Sequence, residues 1–140
     1  MRTVWLFLGV IFLVGCGSKK EPIDLDMLNG YWEIEKVSFP DSSVKTYDIS
    51  TTIDFFTFGD GKGFRKKVKP TLDGIYTTSN DAIPFIKVEE EGGVYLRYSN
   101  ESESWEEEVQ LLQANLLRLR NAEGIQYTYS RYEPIAITDE

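Results

Sequence analysis

After residue 30 the chain breaks repeatedly into short runs rich in β-branched and aromatic residues, and each run stops at a cluster of turn formers. Residues 31–39 (YWEIEKVSF) alternate Trp32 and Ile34 against Glu33 and Glu35 and stop at Pro40-Asp41-Ser42-Ser43. Residues 51–58 (TTIDFFTF) run into Gly59-Asp60-Gly61-Lys62-Gly63, a tight hairpin signal, and residues 64–68 continue beyond it. Residues 75–78, 83–89 and 94–98 form three further short runs, with Asp73-Gly74, Ser79-Asn80-Asp81 and Gly92-Gly93 as turns. In the last run, residues 125–132 (IQYTYSRY), Ile125, Tyr127, Tyr129 and Arg131 share a face. About eight to ten short strands at this spacing predict an all-β antiparallel barrel or sandwich.

Two segments carry other signals. Residues 24–30 (DLDMLNG), with an acidic cap and a closing glycine, suit one short helical turn. In residues 105–120 (WEEEVQLLQANLLRLR), Trp105, Val109, Leu112, Leu116 and Leu119 fall at helical spacing. The same segment also fits a hairpin. Trp105, Val109 and Leu111 would then alternate with Glu106, Glu108 and Gln110, and Leu117 and Leu119 with Arg118 and Arg120, about a turn at Gln113-Ala114-Asn115. Periodicity alone leaves the two open.

The first residues have a separate logic. Arg2 precedes an apolar run over residues 4–14, followed by Gly15, Cys16, Gly17 and Ser18. A basic start, a short apolar stretch and small residues at its end are the layout of a secretory signal. Eleven apolar residues are fewer than the ~20 a membrane-spanning helix needs. Leu13-Val14-Gly15-Cys16 resembles the lipobox of bacterial lipoproteins. That resemblance implies cleavage of residues 1–15, acylation of Cys16 (the only cysteine) and attachment to a membrane through two or three acyl chains, enough for stable anchoring. Gly17 in place of an inner-membrane retention aspartate points to the outer membrane of a Gram-negative bacterium. Residues 16–24 then serve as lipidated cysteine and tether, and residues 25–140 as the folded domain.

Loss of residues 1–15 removes Arg2 and no acid, leaving 14 basic and 23 acidic residues, a net charge of −9. That balance argues against nucleic acid, whose binding relies on cationic side chains at phosphates. The chain has no histidine, and its cysteine is assigned to lipid. Neither a histidine-dependent nucleophile nor the usual zinc or copper ligand set can be assembled. No enzyme, metal or cofactor is expected. The acidic runs at Glu89-Glu90-Glu91 and at Glu101, Glu103 and Glu106-Glu107-Glu108 read as solvated faces. Lys62, Arg65, Lys66, Lys67 and Lys69 read as a solvated hairpin that balances them.

Gly30-Tyr31-Trp32, directly after the helical turn, resembles the Gly-x-Trp signature of lipocalins. Residues 58–63 (FGDGKG) and the closing segments 111–120 and 124–132 resemble the hairpins of lipocalin-like bacterial lipoproteins. The resemblance implies a small up-and-down β-barrel and favours the hairpin for residues 105–120. It also implies closure by Gly30, Trp32 and Arg131, with the arginine stacked on the ring of Trp32. The function it implies is binding of a small apolar or amphipathic ligand by a monomeric, membrane-anchored protein of the cell envelope. Inward aromatics near the mouth, Phe56, Phe58, Tyr95, Tyr98 and Tyr127, are the candidate contacts. The alternative is a protein-interaction or inhibitor module acting through its outer surface and its acidic loops.

Overall fold

A computed structural model describes residue 15 and residues 21–72, 76–78 and 81–133. The apolar run of residues 4–14, Cys16, the turns at 73–74 and 79–80 and the last seven residues of the assigned domain lie outside them. Among the described residues no helix is long and apolar enough to cross a membrane. Within the described residues ten strands follow one 3₁₀ turn at Leu25–Leu28: β1 Gly30–Ser38, β2 Val44–Thr46, β3 Ile53–Gly59, β4 Lys62–Pro70, β5 Tyr76–Thr78, β6 Ile83–Glu90, β7 Gly93–Ser99, β8 Ser104–Leu112, β9 Leu116–Asn121 and β10 Gln126–Arg131.

Eight of these close into an antiparallel up-and-down barrel in the order β1-β3-β4-β6-β7-β8-β9-β10, with β10 pairing back to β1. Closure leaves no free sheet edge around this path. The remaining two extend the wall at one end. β2 pairs with Lys36–Ser38 on the edge of β1 that β3 occupies lower down, and β5 pairs with Val68–Pro70 beyond the stretch of β4 paired to β6. The segment 105–120 is the β8–β9 hairpin, closed by Gln113 donating its backbone N–H to Leu116 O at 2.8 Å.

The turns follow from local chemistry. Asp60 and Gly61, at φ 54° and 78°, make the two-residue β3–β4 connection, and Glu91 and Gly92, at 49° and 77°, the β6–β7 connection. Two successive positive φ values give the primed turn whose twist matches paired strands. Gly63 is needed for space, since a Cβ there would lie 1.8 Å from Thr57 O and 2.9 Å from the ring of Phe85.

One end of the barrel is plugged. The 3₁₀ turn, capped by Asp24 Oδ1 accepting from the Asp26 N–H at 3.0 Å, places Leu25 and Leu28 under the strands. Trp32 is fully buried against them and donates its indole N–H to Leu28 O at 2.8 Å. Arg131 lies 4.0 Å from the Trp32 ring centroid and donates to three carbonyls: Ala114 at 2.9 Å, Asn29 at 2.7 Å and Met27 at 2.6 Å. One guanidinium thus ties β10, the β8–β9 turn and the 3₁₀ turn over one indole. Gly30 sits under it at φ 124°, where a Cβ would come within 2.8 Å of Arg131 Nη1.

Two register shifts re-phase the inward face. In β1 the pairing with β10 slips between Ile34 and Lys36, so Ile34 and Val37 both face the interior. In β8 it slips between Val109 and Leu111, so Val109 and Leu112 are both buried. Simple alternation through Leu111 therefore fails, because a one-residue bulge turns the next side chain over.

Replacement of Arg131 by alanine, in the chain from residue 17 onward, should lower stability by about 3 kcal/mol through loss of the stacking and the charged hydrogen bonds. Arg131→Lys should recover less than half, since an ammonium cannot serve three carbonyls in the plane of a fork. Urea unfolding followed by tryptophan fluorescence measures both, and a neutral effect of Arg131→Ala would refute this role.

Candidate ligand pocket at the barrel mouth

The lumen divides at half its height. In the lower half Phe56, Phe85, Leu96, Val109, Leu117 and Leu119 pack over Trp32 with almost no exposure. Aromatic rings climb from this region toward the mouth. Phe58 stacks on Phe85 at 6.2 Å, Phe85 meets Tyr98 edge-on at 5.7 Å, and Tyr98 stacks on Trp105 at 5.6 Å.

Above them Arg65 points inward from β4, with its side chain 15% exposed. Its Nε donates to Asp54 Oδ1 at 3.1 Å, and its Nη1 to Glu107 Oε1 at 2.9 Å and to the Tyr98 hydroxyl at 3.3 Å. Its Nη2 donates to the Tyr129 hydroxyl at 2.8 Å. The guanidinium carbon lies 5.0 Å from the Phe56 ring centroid, with Tyr98 and Tyr129 at 5.9 and 5.8 Å. Lys67, two residues on and on the same face, reaches the same Asp54 oxygen at 2.8 Å while remaining largely exposed. Arg65 and Glu107 are therefore interior residues, and the solvated reading of both charge runs is corrected at these two positions. Paired strands dictate it: Arg65 opposes Phe56, Lys67 opposes Asp54, and Glu107 shares the inward face of β8 with Trp105 and Val109.

These contacts set protonation. Burial alone would push the Asp54 carboxyl up, but Arg65 and Lys67 outweigh it and hold the group below the usual carboxylate range. Burial pushes the Tyr98 and Tyr129 phenols above their ordinary value, with Arg65 opposing. Burial works against the Arg65 charge, but the surrounding phenols and carboxylates prevail and keep it firmly protonated. The Arg65 guanidinium and the Asp54 carboxylate are thus kept charged, with the Tyr98 and Tyr129 phenols protonated beside them.

This cluster forms the floor of an open pocket of about 460 Å³. Its walls come from Ile34 and Val37 of β1, Trp105 of β8 and Tyr127 of β10, with Tyr47 and Asn121 at the rim. Tyr47 is held there by its backbone N–H donating to Glu35 O at 2.9 Å. Most of the wall is apolar or aromatic, and the polar groups converge on the floor, as in small-molecule sites.

The five aromatic residues named from sequence scatter through the fold. Tyr127 lines the pocket, and burial followed by the nearby Glu107 charge raises its phenol pKa. Tyr98 lies beneath Arg65 in the floor, Phe56 is buried lower down, and Phe58 packs beside Phe85 toward the closed end. Tyr95 faces the outer wall, in a groove with Glu106, Glu108 and Arg120. Sequence reasoning missed Ile34, Val37, Tyr47, Asp54, Arg65, Lys67 and Glu107. The available signal was Asp54, an acid on the same face as Phe56 and Phe58 in an otherwise apolar strand. Among the described residues no His, Cys, Asp and Glu group is arranged to hold a metal.

Removal of Arg65 alone should expose the logic of the floor. Arg65→Met strands the buried Glu107 carboxylate and leaves Asp54 with Lys67 alone; it should cost about 3–5 kcal/mol, whereas the combination with Asp54→Leu and Glu107→Met should recover most of it. Because Asp54 is held low in the native fold, its contribution is complete above the ordinary carboxylate value of about 3.9 and is lost as pH falls through the lower folded value. Urea titrations near pH 7 and in acid should show a steeper acid loss in the native chain than in the triple variant. Equal slopes would contradict this account.

No family model and no curated protein matches the chain. Among solved structures it is similar to a lipocalin-like protein from Bacteroides uniformis, with 16% identity and a TM-score of 0.47, covering 76% of this chain and 99% of that one. An uncharacterized protein from Bacteroides eggerthii is similar at 15% identity and a TM-score of 0.47, covering 74% and 98%.

Proposed function

We propose that this chain is a lipid-anchored protein of the bacterial envelope whose barrel takes a small amphipathic ligand into its open upper half. The pocket carries the reading: a space of about 460 Å³ walled by Ile34, Val37, Trp105 and Tyr127 above a floor of fixed hydrogen-bonding groups. Pockets that hold small molecules run from about 300 to 1,000 Å³. Burial against Ile34, Val37, Trp105 and Tyr127 would supply affinity, and the floor would orient the polar end.

The acidic outer strip offers less for a partner. Glu89 pairs with Lys87 at 2.8 Å, Glu90 and Glu106 with Arg97 at 3.4 and 2.6 Å, and Glu108 with Arg120 at 2.6 Å. Much of its charge is already spent within the barrel, which favours the ligand reading over an interaction module.

Anchoring rests on the sequence: the signal-like run, the lipobox resemblance and the single cysteine. A tether over residues 16–22 spans at most about 25 Å when extended. It reaches the barrel at the closed end, through Asp24 and the 3₁₀ turn. A barrel held this way hangs by its plugged end, with its mouth toward the aqueous compartment.

Two measurements test these parts separately. Expressed in a Gram-negative host, the chain should incorporate an alkyne-labelled fatty acid, and Cys16→Ser should abolish the labelling; labelling that survives the substitution removes the anchor from this account. The chain from residue 17 onward should bind N-phenyl-1-naphthylamine, with quenching of Trp105, and Val37→Trp, which fills the pocket, should weaken binding at least about tenfold. Circular dichroism controls for the fold, and unaltered binding by the filled variant would move the ligand elsewhere.

A further inference from the structure

We infer, building on the reading of the upper pocket as a ligand site, that its ligand meets the floor with an uncharged polar group such as a hydroxyl, phenol or amide, and that carboxylate-headed amphiphiles are excluded. A buried arginine in a barrel would ordinarily suggest an anion receptor. Here its charge is already answered: of the five guanidinium N–H donors, Nε serves Asp54, Nη1 serves Glu107 and Tyr98, and Nη2 serves Tyr129.

The second cation is committed as well. Lys67 bonds the same Asp54 oxygen as Arg65, at 2.8 Å. Two cations and two carboxylates leave the charged floor formally neutral, and the other ionisable lining groups, Tyr47, Tyr127 and Tyr129, are phenols. A carboxylate entering this space would lose part of its water without gaining an uncompensated cation to offset the loss. Turning Lys67 toward it would strip a partner from Asp54, which is almost fully buried. The net charge of −9 that remains without residues 1–15 adds a general repulsion of anions.

An ammonium fares poorly for the mirror reason, since it would arrive beside Arg65 and Lys67. A neutral group meets no such penalty. The Tyr129 hydroxyl accepts from Arg65 and still has a proton to donate, and the second Nη2 hydrogen adds a donor at the same level. The Tyr127 phenol, held protonated by burial and the Glu107 charge, can donate and accept from the wall. The floor is a matched set of dipoles for a hydroxyl or an amide.

Three probes with one ring system separate the possibilities: 1-naphthalenemethanol, 1-naphthoic acid and 1-naphthylmethylamine, uncharged, anionic and cationic near pH 7. Titrated calorimetrically into the chain from residue 17 onward, the alcohol should bind at least about tenfold more tightly than either ion. Glu107→Gln removes one negative charge while its amide oxygen can still accept from Arg65. It should raise affinity for the acid relative to that for the alcohol about tenfold. Should Glu107→Gln fail to fold, Asp54→Asn makes the same charge change at the other carboxylate. Binding of the acid or amine to the native chain as tightly as the alcohol overturns the inference and leaves the pocket reading standing, as does a charge change without effect on the acid. If none of the three binds, the pocket reading falls and takes the inference with it.

Discussion

The structure turns on one guanidinium placed where a barrel normally keeps hydrocarbon. Arg65 sits at mid-height with carboxylates on two sides and phenols on two others, above the ring of Phe56. A charge in such a place is tolerable only when it is held by ion pairs and hydrogen bonds and lies against aromatic faces. The planar fork of arginine can do this and a lysine could not. The arrangement makes a rigid septum. Below it the lumen is filled with Phe56, Phe85 and leucines. Above it apolar side chains cannot descend without separating ion pairs, so the space stays open to the mouth.

A second arginine performs a related task at the other end. Arg131 also combines an aromatic face with several acceptors, but its acceptors are the carbonyls of Met27, Asn29 and Ala114. Carbonyls left unpaired at the end of a 3₁₀ turn and in a hairpin loop are acceptors that any closed end must satisfy. One side chain satisfies three of them and fixes the indole that plugs the barrel. Closure and septum use the same chemistry, differing only in whether the acceptors are backbone dipoles or carboxylates.

Legibility in the sequence followed this division. The strands were readable because their turn chemistry is local: Asp60-Gly61 and Pro40-Asp41-Ser42-Ser43 turn the chain wherever they occur. The segment 105–120 was ambiguous for a reason the structure exposes. The bulge after Val109 puts Val109 and Leu112 three apart on one face, and after the turn Leu119 returns to that interior while Leu116, at the helical interval, lies on the opposite face of β9. The helical rhythm is a bulge and a turn in succession. Position within the lumen was not readable at all. Phe56, Phe58 and Tyr127 share the inward face, yet only Tyr127 lies above the septum. Height depends on pairing register between strands far apart in sequence. Arg65 and Glu107 were hidden because each sits in a run of like charge, and a run of charge gives no hint that one member has turned inward.

The same septum explains how so small a barrel can have room to spare. Eight strands enclose a volume that side chains can fill completely or that can admit one small ligand. The two tryptophans and six phenylalanines that follow residue 15 are stock enough to fill it. The described aromatics are instead distributed unevenly, with Trp32, Phe56, Phe58 and Phe85 below the ion cluster and Trp105, Tyr127 and Tyr47 against the wall or rim above it. On β1, the strand that crosses both halves, the upper inward positions are Ile34 and Val37, which project little into the lumen. The bulge between them keeps both on the inner face, where strict alternation would have sent Val37 outward and turned Lys36 in. An open volume here therefore follows from two local departures from regular structure, a buried charge cluster and a one-residue slip, each of which holds apolar bulk away from the mouth.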